Sequence, residues 1–218
     1  DWDARFLADD TPWERKGLHP AFTHWRTLGL LEAGKSIYVP GCGRGEEPLA
    51  LAKAGLNVTA IDLSPTAIDW QRARFAEGNL TAHLEAGDAL AHRPETPFDL
   101  YWEQTFLCAI PPKLRETYEA GAYAQLRPGG VLLALFMQKE EMGGPPYGCG
   151  LPAMRCASLR GCAFFIASRS SSNVRRAPCP STFLIRSIWP SDFPFTDCAA
   201  APAEKPAASR AKMARPAR

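Results

Sequence analysis

No stretch of this chain is apolar for long enough to cross a bilayer. The longest strongly apolar run, Val131 to Met137, falls far short of the roughly 20 residues a spanning helix needs. The opening Asp1-Trp2-Asp3-Ala4-Arg5 has no basic region leading into an apolar one. The expectation is a cytoplasmic protein with no membrane partner. Histidine is scarce, with four residues and none after His92, and no two of the seven cysteines are spaced as CxxC. Neither a zinc site nor a full disulfide framework is indicated, and reduced thiols are expected. Charge is also unevenly spread. The formal net charge of +2 conceals 14 Lys and Arg against 20 Asp and Glu in residues 1–148, and 11 against 3 in residues 149–218.

What is present suits one α/β domain, since 218 residues can bury a sizeable core. From Ser36 to Gln138 apolar runs alternate with amphipathic segments, the pattern of repeated βαβ units and a mostly parallel sheet flanked by helices. Strands are expected at 36–40, 57–62, 80–85, 98–103 and 131–138. Helices are expected at 46–54, from Pro65 to Glu77 behind the N-cap Ser64, and at 112–126. Arg127-Pro128-Gly129-Gly130 reads as a turn. The first 35 residues read as a polar, aromatic-bearing segment that wraps over something, then a helix around 22–31. No internal repeat is present.

The turn Pro40-Gly41-Cys42-Gly43-Arg44-Gly45 joins a strand to a helix, where glycine lets a ligand approach the backbone. Asp62 closes the next strand, 17 residues beyond Gly45, where a carboxylate can accept hydrogen bonds from both ribose hydroxyls of an adenosine. Dinucleotide dehydrogenases share that architecture, but here the helix opens with Glu46-Glu47, and two carboxylates would repel a pyrophosphate. Glu46 also occupies the place of the third glycine of GxGxxG. S-adenosylmethionine carries no phosphate, and its sulfonium and ammonium groups tolerate an acidic rim. Asp88 follows the third strand, where it can meet the adenine amino group or serve as a solvated turn residue. Glu103 and Gln104 end the fourth strand at the same edge and are candidates for cofactor or substrate contact; Asp99 reads as a strand-start residue. Trp2, Phe6 and Trp13 either stack on the cofactor or anchor their segment to the core. Cys42 and Cys108 read as packed residues, and no Ser/His/Asp or Cys/His nucleophile set is visible.

Taken together, these residues match a family. Trp2 with Thr11-Pro12-Trp13-Glu14, Val39-Pro40-Gly41-Cys42-Gly43-Arg44-Gly45, Ile61-Asp62-Leu63-Ser64, Phe106-Leu107-Cys108-Ala109-Ile110, Leu126-Arg127-Pro128-Gly129-Gly130 and Gly143-Gly144-Pro145-Pro146-Tyr147 resemble the thiopurine S-methyltransferase superfamily. The likeness is closer to its plant thiol, halide and thiocyanate branch. It covers about residues 1–148 and implies a Rossmann-like, class I S-adenosylmethionine-dependent methyltransferase acting on a small soft nucleophile. By the family's pattern, Trp2, Trp13, Gly41, Asp62, Asp88, Ala89 and Gln104 would contact the cofactor. Phe6 stands where the plant branch has a third tryptophan, and Gln104 where it often has tyrosine.

Residues 149–218 do not follow the resemblance. They are rich in Arg, Ser, Ala, Pro and Cys without clear period, and only Cys162–Ser168 and Ser181–Trp189 could be strands. Two readings stay open: a divergent folded ending that leaves the C-terminal part irregular or incomplete, or a segment translated from a shifted frame beginning near Arg155. From Cys198 onward the composition reads as a disordered basic tail. The expected whole is a monomer with a small-molecule substrate and no nucleic-acid partner, because clustered Arg without a folded motif is a weak footprint. The alternatives are a catalytically impaired remnant and a nicotinamide-dependent oxidoreductase.

Overall fold

The computed structural model describes residues 1–137, 143–149 and 163–166. Its elements are α1 (Trp2–Leu7), α2 (Pro20–Thr27), β1 (Ser36–Pro40), α3 (Glu47–Lys53), β2 (Asn57–Asp62), α4 (Pro65–Glu77), β3 (His83–Ala86) and β4 (Phe98–Gln104). A single 3-10 turn (Pro112–Leu114) then leads into α5 (Arg115–Gln125), followed by β5 (Leu126–Leu135) and β6 (Ala163–Ile166). The strands form one sheet in the order β3-β2-β1-β4-β5-β6, and every neighbouring pair is parallel. This is the doubly wound arrangement expected from the alternating pattern. Its switch point lies between β1 and β4, where open α/β sheets leave a crevice at the carboxyl ends of the strands.

Strand alternation splits the core in two, because successive side chains point to opposite faces. Ile37, Val39, Leu100, Trp102 and Leu133 pack on one face with Phe22 and Trp25 of α2, Leu49 and Leu51 of α3, and Ile68 and Phe75 of α4. Tyr38, Tyr101, Leu132 and Ala134 pack on the other with Tyr118 and Ala122 of α5 and the Phe106–Cys108 loop. Burial on both faces explains the near-continuous apolar strands. Trp25 meets Trp102 edge-on with centroids 4.8 Å apart, a geometry worth about 0.5–1.5 kcal/mol beyond the area buried.

Local chemistry places the helix starts. Ser64 accepts the Ala67 amide at 3.1 Å with Pro65 at the first helical position, and His19 Nδ1 accepts the Ala21 amide at 3.1 Å ahead of Pro20. Among the described residues no helix is long and apolar enough to cross a membrane.

Several expectations need correction. The aromatic N-terminal segment contains an unexpected helix, Trp2–Leu7 capped by Asp1, and the next helix is Pro20–Thr27 rather than 22–31. A local cap and a proline signal outweighed apolar spacing there. The third strand is shorter, His83–Ala86. Arg127-Pro128-Gly129-Gly130 lies inside the bounds of β5, where pairing jumps from Phe98↔Leu126 to Leu100↔Val131, so the turn is a bulge absorbed by the ladder. One strand predicted within Cys162–Ser168 is present as β6 along β5. The possible strand at Ser181–Trp189, the shifted-frame reading beyond Arg155 (β6 apart) and the basic tail lie outside the described residues.

Candidate cofactor site at the carboxyl edge of the sheet

The turn after β1 and the end of β2 are held together by one side chain. Asp62, 8% exposed, accepts the Gly43 amide on Oδ2 at 2.8 Å and the Ser64 amide on Oδ1 at 2.9 Å. Each oxygen keeps a further lone pair. Burial pushes this carboxyl above its ordinary value, while the two amides and the neighbouring Asp3 modulate that shift. The turn needs its glycines: Gly41 and Gly43 sit at φ +56° and +49°, and a Cβ on Gly41 would lie 2.4 Å from Phe106 Cδ2.

A residue missed at the level of sequence completes the turn. Gln71 of α4 is fully buried and its Nε2 donates to the carbonyls of both Gly43 and Gly45 at 2.9 Å. Helical spacing could have found it, since Ala67, Ile68, Gln71 and Phe75 share the buried face.

The two acids that open α3 have separate fates. Glu46 turns away to a bidentate pair with Arg74 at 3.1 and 2.7 Å. Glu47, buried, accepts the His19 amide at 3.0 Å and Gln104 Nε2 at 3.2 Å. The acidic rim expected from Glu46-Glu47 is therefore a single carboxylate, and it orients Gln104, whose Oε1 in turn accepts Trp102 Nε1 at 3.2 Å. Gln104 thus borders the crevice from β4 while Asp62 borders it from β2.

Past β3, Asp88 is exposed and its Oδ1 accepts the Leu90 amide at 2.9 Å, closing a local turn. Ala89 is buried beside it, and its carbonyl accepts the Tyr38 hydroxyl at 2.9 Å. The Gly87 amide bonds the Asp62 carbonyl at 2.8 Å, tying this turn to the end of β2.

The N-terminal segment lies on the glycine turn. Phe6 is buried against Gly43, where a Cβ would come 3.3 Å from its Cζ. Trp13 packs edge-on against both Trp2 (5.4 Å) and Phe6 (5.9 Å), and the Arg5 guanidinium sits 4.4 Å from the Trp13 centroid. Asp3 Oδ1 accepts the Ser64 hydroxyl at 2.5 Å and the Thr66 amide at 3.0 Å, which holds its carboxyl below the ordinary value.

Glu103 faces the opposite side of β4. It is 1% exposed, and its Oε1 accepts the Phe106 and Leu107 amides at 3.0 and 3.2 Å. Burial pushes it up to about 7 against those two hydrogen bonds. It organises the loop after β4 rather than lining the crevice with Gln104. Asp99 works at the far edge, accepting the Ser36 amide and hydroxyl at 2.8 and 2.9 Å, so it joins strand starts as expected. Cys42, Cys108 and Cys149 are buried and none is in a disulfide. Among the described residues no three of His, Cys, Asp and Glu are grouped to hold a metal ion.

A family model described as thiopurine S-methyltransferase matches residues 1–174. The chain is 32% identical over 149 residues to probable thiol methyltransferase 2 of Arabidopsis thaliana, covering 67% of this chain and 66% of that protein. It is 29% identical over 149 residues to thiocyanate methyltransferase 1 of the same plant, covering 67% and 65%. A thiopurine S-methyltransferase of Pseudomonas fluorescens is 28% identical over 167 residues, covering 67% and 75%. The match thus spans slightly less than two thirds of the two plant proteins. Among solved structures, one from work on the conversion of a disulfide bond into a thioacetal group during echinomycin biosynthesis is 29% identical with a TM-score of 0.57, over 63% of this chain and 59% of that one. The Burkholderia thailandensis 1,6-didemethyltoxoflavin-N1-methyltransferase, with 1,6-didemethyltoxoflavin and S-adenosylhomocysteine bound, superposes with a TM-score of 0.54 at 22% identity, over 64% and 61% of the two chains. That second likeness is one of fold.

Proposed function

The chain belongs to the thiopurine S-methyltransferase family, whose methyl donor is S-adenosylmethionine, and from that premise we propose that it transfers a methyl group to a small soft nucleophile: a thiol, thiopurine, halide or thiocyanate. The observation that carries the reading is the Asp62 carboxylate, buried at the end of β2 and fastened to the glycine turn through Gly43. Its two remaining lone pairs suit a pair of ribose hydroxyls, while the absent Cβ atoms at Gly41 and Gly43 make room for Phe106 and Phe6 and so let the turn close beside that carboxylate. When bound, the cofactor supplies an already activated methyl group.

The protein's own task is alignment. Trp2 and Trp13 would border the cofactor with aromatic faces that favour a cation. Asp88 and Ala89 would flank its adenine from the turn after β3. Gln104, held by Glu47 and Trp102, would border the cofactor from β4. Covalent catalysis by Cys42 or Cys108 is disfavoured on physical grounds. Burial raises the Cys42 thiol well above its ordinary value and pushes Cys108 up to about 12, so both stay protonated near neutral pH. The proposed catalytic unit is residues 1–148, with 149–218 a basic appendage whose β6 strand pairs along β5.

The test is calorimetric titration with S-adenosylmethionine and with NADH, followed by methyl-transfer assays on thiol, thiopurine, iodide and thiocyanate acceptors. Assays use the full chain and a version ending near Tyr147. Saturable binding of the methyl donor and turnover of a soft acceptor are expected. Tight NADH binding with indifference to the methyl donor would overturn the reading.

A further inference from the structure

Arg44 sits in the glycine turn, yet all its strong contacts reach out of it. Its Nε and Nη2 form a bidentate pair with Glu14 at 2.8 and 2.9 Å, Nη1 reaches Asp9 at 2.8 Å, and Nη2 also donates to Thr11 Oγ1 at 3.2 Å. Thr11 Oγ1 donates in turn to Glu14 at 2.8 Å, and the guanidinium lies 5.5 Å from the Phe6 centroid. A lone exposed ion pair contributes little, but here a planar fork engages two acids and a hydroxyl at once, with the Arg44 side chain only 20% exposed. The residues it grips are those around Trp13. Phe6, beneath it, packs on bare Gly43 and edge-on against Trp13. The other end of the same segment is pinned by Asp3 to Ser64 and Thr66, beside Asp62.

We propose that residues 1–14 are a strap drawn across the cofactor site, and that Arg44 is the positioning residue that fixes Trp13 over the glycine turn. The strap is thereby fastened on both sides of Asp62, by Arg44 at the turn and by Asp3 at the start of α4. Holding the strap before the cofactor arrives removes part of the ordering cost from binding. The hydrogen bonds that Arg44 donates to Glu14 and Asp9 raise its already high value further, and the guanidinium is charged throughout the working pH range. The role in cofactor binding rests on the methyl-donor reading above; the fastening of the strap does not.

Arg44→Ala and Arg44→Lys test it on the full chain. In Arg44→Ala, amides of residues 2–14 should exchange with solvent at least about tenfold faster than in the parent, while those of β1, β2 and β4 keep their protection. The dissociation constant for S-adenosylhomocysteine, measured by calorimetry, should rise at least about tenfold. Arg44→Lys retains a point charge without the fork and should fall between. A role confined to general stability would lower the melting temperature and core protection together, and that outcome overturns the proposal. So does Arg44→Ala with unchanged strap exchange. If the parent itself fails to bind S-adenosylhomocysteine, the methyl-donor reading and Arg44's role in cofactor binding fall, while faster strap exchange in Arg44→Ala still supports the fastening.

Discussion

The Asp62 carboxylate accepts the Gly43 amide at 2.8 Å, so the residue that ends β2 also shapes the turn that leaves β1. Parallel pairing of β1 with β2 brings Pro40 alongside Ile61, which puts the two features next to each other at the sheet's carboxyl edge. A ligand bound there would meet a carboxylate and a glycine turn whose relative position is already set.

Asp62→Ala removes a charged acceptor and the grip on Gly43 together. Binding of S-adenosylhomocysteine is expected to weaken by about 1–3 kcal/mol, through lost charged hydrogen bonds. Calorimetry reads this directly, and unchanged affinity removes Asp62 from the site.

Gln71→Leu leaves the Gly43 and Gly45 carbonyls without the amide that serves both. Each buried acceptor left unsatisfied costs about 1–3 kcal/mol unless water reaches it. A lowered urea midpoint at unchanged m-value is expected, accompanied by weaker cofactor binding because the turn loses its shape. A midpoint equal to the parent's would mean that the turn carbonyls are solvated without Gln71.

Gly41→Ala meets both a left-handed backbone and the Phe106 ring, 2.4 Å from the new Cβ. Strain of that kind costs about 1–3 kcal/mol. The melting temperature should fall, and Phe106→Ala should recover part of the loss in the double variant. Strictly additive effects of the two changes would show that the ring is not the obstacle.

Glu103 predicts a pH dependence of stability whose sign follows from its raised value. The folded carboxyl titrates at about 7 against 4.5 ordinarily. Across that interval the folded chain keeps a proton that the unfolded chain has released. Stability therefore falls as pH rises through this window, and above it the ionised group costs up to about 3 kcal/mol. Glu103→Gln keeps an oxygen for the Phe106 and Leu107 amides and cannot ionise. Relative to the parent it should gain stability by about 1–3 kcal/mol between pH 5 and pH 8 in chemical denaturation. Parallel curves for the two proteins across that range would remove Glu103 as the cause.

Much of the molecule could be read without coordinates, because its signals are local. Ser64-Pro65 marked the start of α4 and Gly78 its end, and the apolar alternation from Ser36 onward implied parallel strands buried on both faces. The glycine turn and Asp62 were legible for the same reason: both lie at strand ends, which the chain's own pattern defines. The bulge at Arg127–Gly130 was not, since a Pro-Gly-Gly run reads as a turn until a neighbouring strand accommodates it.

Partners distant along the chain belong to the tertiary structure alone. Nothing near Arg44 in sequence indicates that its fork closes on Asp9 and Glu14, or that Glu46 is drawn off by Arg74 while Glu47 turns inward to Gln104. Periodicity determines which residues face the core and which glycines permit a turn. Which charge meets which depends on how helices and strap dock, and docking is a sum over many contacts that no short window contains.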